Sequence, residues 1–392
     1  MPTIIFFAFL FALVLFIYWF RWREFDLAFI LVFIYTLVAI LGVFYYSENS
    51  NEWIITTWPY IYLFSVLMLF FRPFFINNQK FYDAFRLKNV KFLKLFSRLY
   101  IFCGLIAMYY QIPIVINNLE SGDWLSIRNT LYYDDDFTLY QNQFERLAKI
   151  YIQYFRLPAI IALFYYLSFK ENKKYFKLLL AISIIAPSFF TAINIAARGS
   201  LIVLILEFTI GFFMFRKKLR KSVKRTINIL AISIGVLFIS FSIAVTNSRF
   251  GEMNVSSSLM HYFSHSFLSF NYGVADSIKD YANGKYFFNF FYDSQYLDYF
   301  SLGTHFDTSF ITFVGTLYLD FGPTGTLLIA LIVPLFFNFK MMSRKYVDFG
   351  DLHLYSFYMS YLLIGVFVVG LSNSLDWIIA IIFYCTLKLV KI

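Results

Sequence analysis

Three arginines lie in or at the ends of apolar segments, where a charge is costly: Arg156, Arg198 and Arg249. A guanidinium in hydrocarbon is strongly disfavoured unless it meets an anion or reaches the interface. Its planar fork fits phosphate oxygens at two points. The pattern therefore predicts a site for the diphosphate group of a lipid at one membrane surface. Two other interpretations stay open, in which the arginines reach the interface or pair with Asp320 or Asp376.

A polar stripe accompanies the second arginine. Thr191, Asn194 and Arg198 follow one another at steps of three and four residues, which places them on one face of a continuous helix. Polar side chains on the end of a membrane helix indicate a water-lined cavity rather than contact with lipid.

Three of the four histidines, His261, His265 and His305, lie in one polar segment, 247–318. His261 and His265 share a face if 256–272 is helical. Zinc would need further ligands, and no glutamate stands between the pair as in a zinc-protease helix, so we expect no metal here. Hydrogen bonding to sugar or phosphate and ordinary loop packing both remain possible interpretations.

The elements that hold these residues are apolar helices. Hydrophobic residues make up 60% of the 392-residue chain and charged residues only 14%, against roughly 25% charged in soluble domains. We therefore predict an all-α polytopic integral membrane protein. Runs near the roughly 20 residues that cross a bilayer predict about 11 transmembrane helices, at 3–20, 26–46, 53–71, 95–116, 150–169, 178–197, 200–215, 226–245, 319–339, 353–371 and 373–389. The run 310–321 predicts a re-entrant or interfacial helix that leads into the ninth span.

The basic residues give an orientation. All but eight of the 33 lysines and arginines fall on one set of loops, which the positive-inside rule assigns to the cytoplasm. The N-terminus is then on the outer side, which is the periplasmic side if the membrane is the bacterial inner membrane, and the C-terminus is cytoplasmic. The net charge of +10 is thus a property of cytoplasmic loops and does not predict nucleic-acid binding.

Two predicted outer loops are long, 117–149 and 247–318. Long loops on one face commonly carry function. The sequence shows no internal repeat and no appended soluble region, so we predict a single membrane domain over 1–392.

Two short stretches carry a family resemblance. One is Ala196-Ala197-Arg198-Gly199-Ser200-Leu201 at an outer helix turn, and the other is Tyr318-Leu319-Asp320-Phe321-Gly322 followed by Gly325. With the overall outline, they resemble the Wzy-type oligosaccharide repeat-unit polymerases, or O-antigen polymerases. The resemblance implies a glycosyltransferase-C-like membrane fold in the bacterial inner membrane.

The resemblance also implies an activity. Undecaprenyl-diphosphate-linked repeat units would serve as donor and acceptor at the periplasmic face, and their polymerisation would yield O-antigen or a related surface polysaccharide of lipopolysaccharide biosynthesis. No cofactor is implied, and a chain-length regulator is a candidate partner beside the lipid bilayer.

The implied reaction suggests roles for individual residues. Arg156, Arg198 and Arg249 would bind the leaving diphosphate. The acceptor hydroxyl needs a base, for which the sequence offers several candidates without choosing among them: His261, His265, His305, Asp307, Asp320 and Asp376. The expected substrate cavity would be lined by Thr191, Asn194, Tyr272, Tyr318 and Asp376.

Two alternative functions remain. An O-antigen ligase would use the same lipid-linked donor and differ only in its acceptor. A polysaccharide-lipid transporter or flippase would place polar residues near the midplane, often in paired repeats. The polar residues here crowd one predicted face and no repeat is visible, which favours an enzyme over a transporter.

Overall fold

The computed structural model describes residues 1–87, 90–133, 142–169, 173–250, 264–275, 278, 280–288, 311–342, 346–366 and 374–390. Within these ranges the chain is helical, and the only extended pairing is an isolated bridge between Phe85 and Val347. This confirms the predicted all-helical, multi-pass class. The predicted sites His261, His305 and Asp307 lie outside the described residues.

Thirteen α-helices can be given bounds within the described ranges. They are α1 Pro2–Trp22, α2 Leu27–Glu48, α3 Thr57–Asp83, α4 Val90–Ser121, α5 Trp124–Tyr133, α6 Gln143–Tyr154, α7 Arg156–Ser168, α8 Lys174–Asn194, α9 Gly199–Phe215, α10 Lys221–Phe250, α11 Thr312–Met342, α12 Phe349–Ile364 and α13 Ser374–Leu389. Residues 264–268 are also α-helical and run into a π-helical segment, Ser269–Ala275.

Fewer of these helices are long enough to cross a membrane than the eleven predicted spans. Length and apolarity qualify seven helices, or eight if the pair α6–α7, bent by 61°, is one span. The remaining predicted spans coincide with α9, α12 and α13, which have 17, 16 and 16 residues. At 1.5 Å per residue these reach about 24–26 Å, against a hydrocarbon core of about 30 Å. The multi-pass class is therefore established, and the number eleven stays a prediction.

Side chains stabilise several helix ends. The Asp26 carboxylate accepts a hydrogen bond from the backbone N–H of Phe29 at 2.9 Å and another from the Tyr18 hydroxyl at 2.7 Å. Asp348 and Asp351 form a reciprocal capping box at the start of α12. Such caps satisfy N–H groups that have no partner inside the helix.

Helix α11 is broken near its start. Gly322 has φ 67° and ψ −179°, a conformation that no helix contains, and Pro323 follows it. The carbonyl of Pro323 accepts a hydrogen bond from the Tyr62 hydroxyl at 2.7 Å. The short helix expected over 310–321 is thus present from Thr312, and it ends at a glycine that can adopt positive φ without steric cost.

The helices group into two compact units. The first unit contains Met1–Arg86 and Ser256–Thr386, and the second contains Leu87–Val255 and Leu387–Ile392. The boundaries between the units fall at 86–87, at 255–256 and, within α13, at 386–387. The single membrane domain over 1–392 stays a prediction.

Aromatic rings fill the core of the first unit. Phe7 and Phe11 of α1 contact Phe267, whose ring centroid lies 5.1 Å from that of Phe7. Tyr35 of α2 packs edge-on against Phe71 of α3 at 4.9 Å. These four phenylalanines and the tyrosine are at most 1% exposed, so the segment 264–268 is part of the core.

Close packing of two helices organises the second unit. Gly104 of α4 lies so near Ser183 of α8 that a Cβ at Gly104 would meet the serine Cβ at 2.6 Å. Two turns further along, the Gln111 amide donates to the Thr191 hydroxyl at 3.1 Å. The sequence offset is nearly constant between these contacts, so α4 and α8 run parallel and in fixed register.

Candidate functional site

The turn between α8 and α9 is a Schellman motif in the second unit. The N–H of Ala196 donates to the carbonyl of Ile193 at 3.3 Å, and the N–H of Ala197 donates to that of Ala192 at 3.0 Å. Ala196 has φ 46°, the left-handed position that glycine usually takes. Holding a residue with a Cβ in this conformation costs about 1–2 kcal/mol.

The packing of the Ala196 methyl group explains why an alanine can occupy this left-handed position. It is fully buried and forms a small apolar cluster with Trp124 of α5 and Val245 of α10. The ring of Trp124 also packs edge-on against Phe241 at 5.5 Å. The turn is therefore held by side chains from two other helices, and strained backbone of this kind is concentrated at functional sites.

This turn places Arg198 at the start of α9. Arg198 is the N-cap residue of that 17-residue helix, and its Nη1 donates to the Thr246 hydroxyl of α10 at 2.9 Å. Thr246 in turn donates to the carbonyl of Ser242 at 2.7 Å. A half-buried guanidinium beside the positive end of a helix favours an anion, since both carry hydrogen-bond donors and positive charge.

The predicted shared face of Thr191, Asn194 and Arg198 needs a correction. Helix α8 ends at Asn194, so only Thr191 and Asn194 lie on one helical face. Arg198 follows the left-handed turn, and its position is set by the capping motif rather than by helical periodicity.

Polar atoms without partners accompany this turn. Both amide atoms of Asn194, the Oε1 of Gln111 and the hydroxyl of Ser242 are buried and accept or donate no hydrogen bond within the described chain. Gln111 is only 1% exposed. An unmade hydrogen bond in a buried place costs about 1–3 kcal/mol, so each such group calls for an explanation.

Arg156, predicted to bind diphosphate, has a partner within the chain. Its Nε donates to Glu207 Oε2 at 2.5 Å and its Nη2 to Oε1 at 3.2 Å. Both side chains are largely buried, at 13% and 9% exposure. The carboxylate that pairs with Arg156 is Glu207, not Asp320 or Asp376, and its place within an apolar segment is the signal in the sequence that marks it. The guanidinium of Arg156 is thus already paired with a carboxylate of the chain.

The third predicted arginine, Arg249, lies in the last turn of α10. Its backbone is helical, and its side chain lies outside what the structure describes. Its role in binding diphosphate stays a prediction.

His265 contacts two other side chains of the first unit. Its Nδ1 lies 2.5 Å from the Ser269 hydroxyl, one turn further along the helix, and its ring packs edge-on against Trp53 at 4.9 Å. The side-chain amide of Asn271 binds the backbone of Thr56. Its oxygen accepts from the N–H of Thr56 at 3.0 Å, and its nitrogen donates to the carbonyl of Thr56 at 2.8 Å. The segment is π-helical from Ser269, a rare form that is frequent at functional sites.

Asp320, predicted as a candidate base, has a different environment. It is 1% exposed, and its two carboxylate oxygens accept the backbone N–H groups of Tyr286 at 3.1 Å and Phe287 at 2.6 Å. The backbone carbonyl of Asp320 also accepts the N–H of Gly284. These bonds hold the turn 282–288 in place, which is a structural role for the carboxylate.

Three further residues assigned to a substrate cavity belong to the first unit. Tyr318 is 6% exposed and packs edge-on against Tyr62 and Phe270. Tyr272 is half-buried beside Trp53. Asp376 lies in the first turn of α13. Their grouping around a substrate cavity stays a prediction.

No group of three or more histidine, cysteine, aspartate or glutamate side chains in the described ranges is arranged to hold a metal ion. Comparison of the chain with models of protein families, with curated proteins and with solved structures finds no match. The function is therefore inferred from the residues of the chain.

Proposed function

We propose that the protein is a membrane glycosyltransferase that polymerises undecaprenyl-diphosphate-linked oligosaccharide repeat units into O-antigen or a related surface polysaccharide. The observation that carries the proposal is the position of Arg198, held by Thr246 at the N-terminus of α9. Support also comes from the resemblance of the stretch 196–201 to the Wzy-type polymerases.

The chemistry of the proposed reaction explains the need for Arg198. The acceptor hydroxyl attacks the anomeric carbon of the donor glycan while the bond from that carbon to the diphosphate oxygen breaks. Negative charge develops on the leaving diphosphate, and cationic donors fixed in advance stabilise it. A guanidinium beside the N-terminus of a helix, where the helix dipole is positive, supplies such donors.

The proton of the acceptor hydroxyl needs a base. Among the described residues, His265 has suitable chemistry, and its contacts with Ser269 and Trp53 restrict its orientation. Imidazole changes protonation state near neutral pH, which suits general-base catalysis. His265 is thus a described candidate for this step; its candidacy rests on its own contacts in the first unit and is tested by itself.

Glycan length on a gel tests the proposal directly. The gene is deleted in its host and complemented with wild type, with Arg198→Ala, or with Arg146→Ala, which removes an equal charge from an exposed position of α6. We expect deletion and Arg198→Ala to leave a single repeat unit, while wild type and Arg146→Ala restore the ladder.

Other outcomes would favour the alternative functions. Long carrier-linked chains that never reach the lipid core would identify a ligase. Repeat units that accumulate on the cytoplasmic face would identify a flippase. A ladder unchanged by deletion would contradict polymerase activity altogether.

A further inference from the structure

The buried amides of Gln111 and Asn194 have unused hydrogen-bonding atoms in a part of the second unit built from apolar helices. Gln111 uses its Nε2 on Thr191, and its Oε1 has no partner in the described chain. Asn194, one turn beyond Thr191, uses neither its oxygen nor its nitrogen on any described residue. Together they offer two acceptors and one amide donor group that the described residues leave unsatisfied.

Retaining these groups has an energetic cost that a leucine or methionine would avoid. Buried polar side chains within membrane helices are expensive and mark substrate paths by default. Natural proteins keep such defects where binding requires them, because function and stability are in conflict at those positions. The fixed register of α4 and α8, set at Gly104 and Ser183, holds the amides at a constant depth.

The amides also lie close to the proposed diphosphate site. Asn194 is the last residue of α8, and Arg198, the N-cap residue of α9, follows only four residues later. A chain of four residues reaches at most about 14 Å, and the Schellman turn shortens this distance. A ligand with its anion at Arg198 would therefore carry its adjoining groups within reach of this end of α8.

Resting on the proposed function, we infer that Asn194, with Gln111 and Thr191, forms a subsite for the uncharged sugar that is joined directly to the diphosphate. Side-chain amides donate and accept at once, which matches sugar hydroxyls and acetamido groups. They carry no charge, so the subsite would add discrimination for the sugar without adding affinity for the diphosphate. A site built to hydrogen-bond such groups rejects analogues that lack them.

Two probes separate this inference from the proposed function. Purified protein is titrated with farnesyl diphosphate and with farnesyl diphosphate N-acetylglucosamine, and the ratio of the two affinities measures the contribution of the sugar. Wild type should bind the sugar-bearing probe more tightly. Asn194→Leu should lose about 10-fold of that preference while its affinity for farnesyl diphosphate stays unchanged.

Thermal unfolding of the same proteins supplies an independent readout. Asn194→Leu removes an unsatisfied amide, so it should melt at the wild-type temperature or a few degrees higher. Ser183→Ala is the matched control, since it removes an unsatisfied buried hydroxyl from the same helix, about 16 Å away along the axis. The control should keep the full sugar preference.

The outcomes are distinct. If Asn194→Leu keeps the sugar preference, the subsite is overturned and the diphosphate site stands. If wild type binds neither probe, both proposals fail. If the sugar preference is lost only because Asn194→Leu melts well below wild type, the amide is structural and the subsite is overturned.

Discussion

The guanidinium of Arg156 and the carboxylate of Glu207 form a two-point ion pair inside the second unit, joined by Nε to Oε2 at 2.5 Å and Nη2 to Oε1 at 3.2 Å. Arg156 is the first residue of α7 and Glu207 lies within α9. The pair thus connects two segments that are 51 residues apart in sequence and satisfies both charges where neither is well hydrated.

Removal of one partner should be far more harmful than removal of both. Glu207→Gln leaves the Arg156 charge uncompensated, and we expect a loss of about 3–5 kcal/mol in the free energy of unfolding. The double change Arg156→Leu with Glu207→Leu should recover most of that loss. Thermal unfolding in detergent measures each variant, and a double variant no more stable than Glu207→Gln would contradict this account.

The Asp320 carboxylate should be needed for the order of the turn 282–288. Asp320→Ala leaves the backbone N–H groups of Tyr286 and Phe287 without their carboxylate acceptor. We expect the free energy of unfolding to fall by roughly 3 kcal/mol or more, because hydrogen bonds to charged groups are strong. Limited proteolysis should show faster cleavage in this turn.

Asp280→Ala is the control for that experiment, since Asp280 is an exposed carboxylate in the same region. It should leave the cleavage rate unchanged. An Asp320→Ala protein that resists the protease like wild type but lacks activity would instead support the catalytic role first considered for Asp320.

Gly322 should tolerate no side chain. An alanine there would adopt φ 67°, and its Cβ would lie 3.2 Å from the ring of Tyr281. Gly322→Ala should therefore lower the free energy of unfolding by at least about 1 kcal/mol. Gly235→Ala in α10, where nothing lies within 4 Å of the added Cβ, should be neutral or slightly stabilising. Equal melting temperatures for the two variants would refute the strain argument.

His265 should be required for chain extension without being required for folding. His265→Ala should insert in the membrane at wild-type levels and yield only single repeat units on the gel. Ser269→Ala removes the hydrogen bond to Nδ1 and should shorten the glycan ladder without abolishing it, because Trp53 still contacts the ring. A full ladder from His265→Ala would assign the proton transfer to another group.

Much of the fold was predictable because long apolar runs in this sequence mark the positions of its helices. Each predicted span overlaps helical residues, although 150–169 falls on the bent pair α6–α7, and the start of α11 was expected to be a separate short element. The bounds of α12 were less accessible, since an apolar run does not reveal where its helix ends: the predicted span was 353–371, and the helix covers Phe349–Ile364.

The contacts within the candidate site were less predictable, because they join residues that are distant in sequence. Arg198 was identified by its charge at an apolar boundary, while its partner Thr246 is an ordinary threonine in sequence. Periodicity placed Arg198 on the α8 face, and the left-handed Ala196 redirected it. A positive φ at alanine has no compositional signal.

The bend between α6 and α7 has a consequence for the response of the protein to membrane voltage. Segments of 12 and 13 residues bent by 61° still reach about 32 Å end to end, close to a hydrocarbon core of about 30 Å. With the pair as one crossing and α9 as another, Arg156 would lie near mid-depth, as would Glu207, the ninth of 17 residues in α9. The opposite charges of the pair would then cancel in the transmembrane potential. Loss of either charge alone, as in Glu207→Gln, would leave an unpaired charge whose energy at that depth changes by about 1 kcal/mol per 100 mV, so the stability of such a variant would depend on the energised state of the membrane.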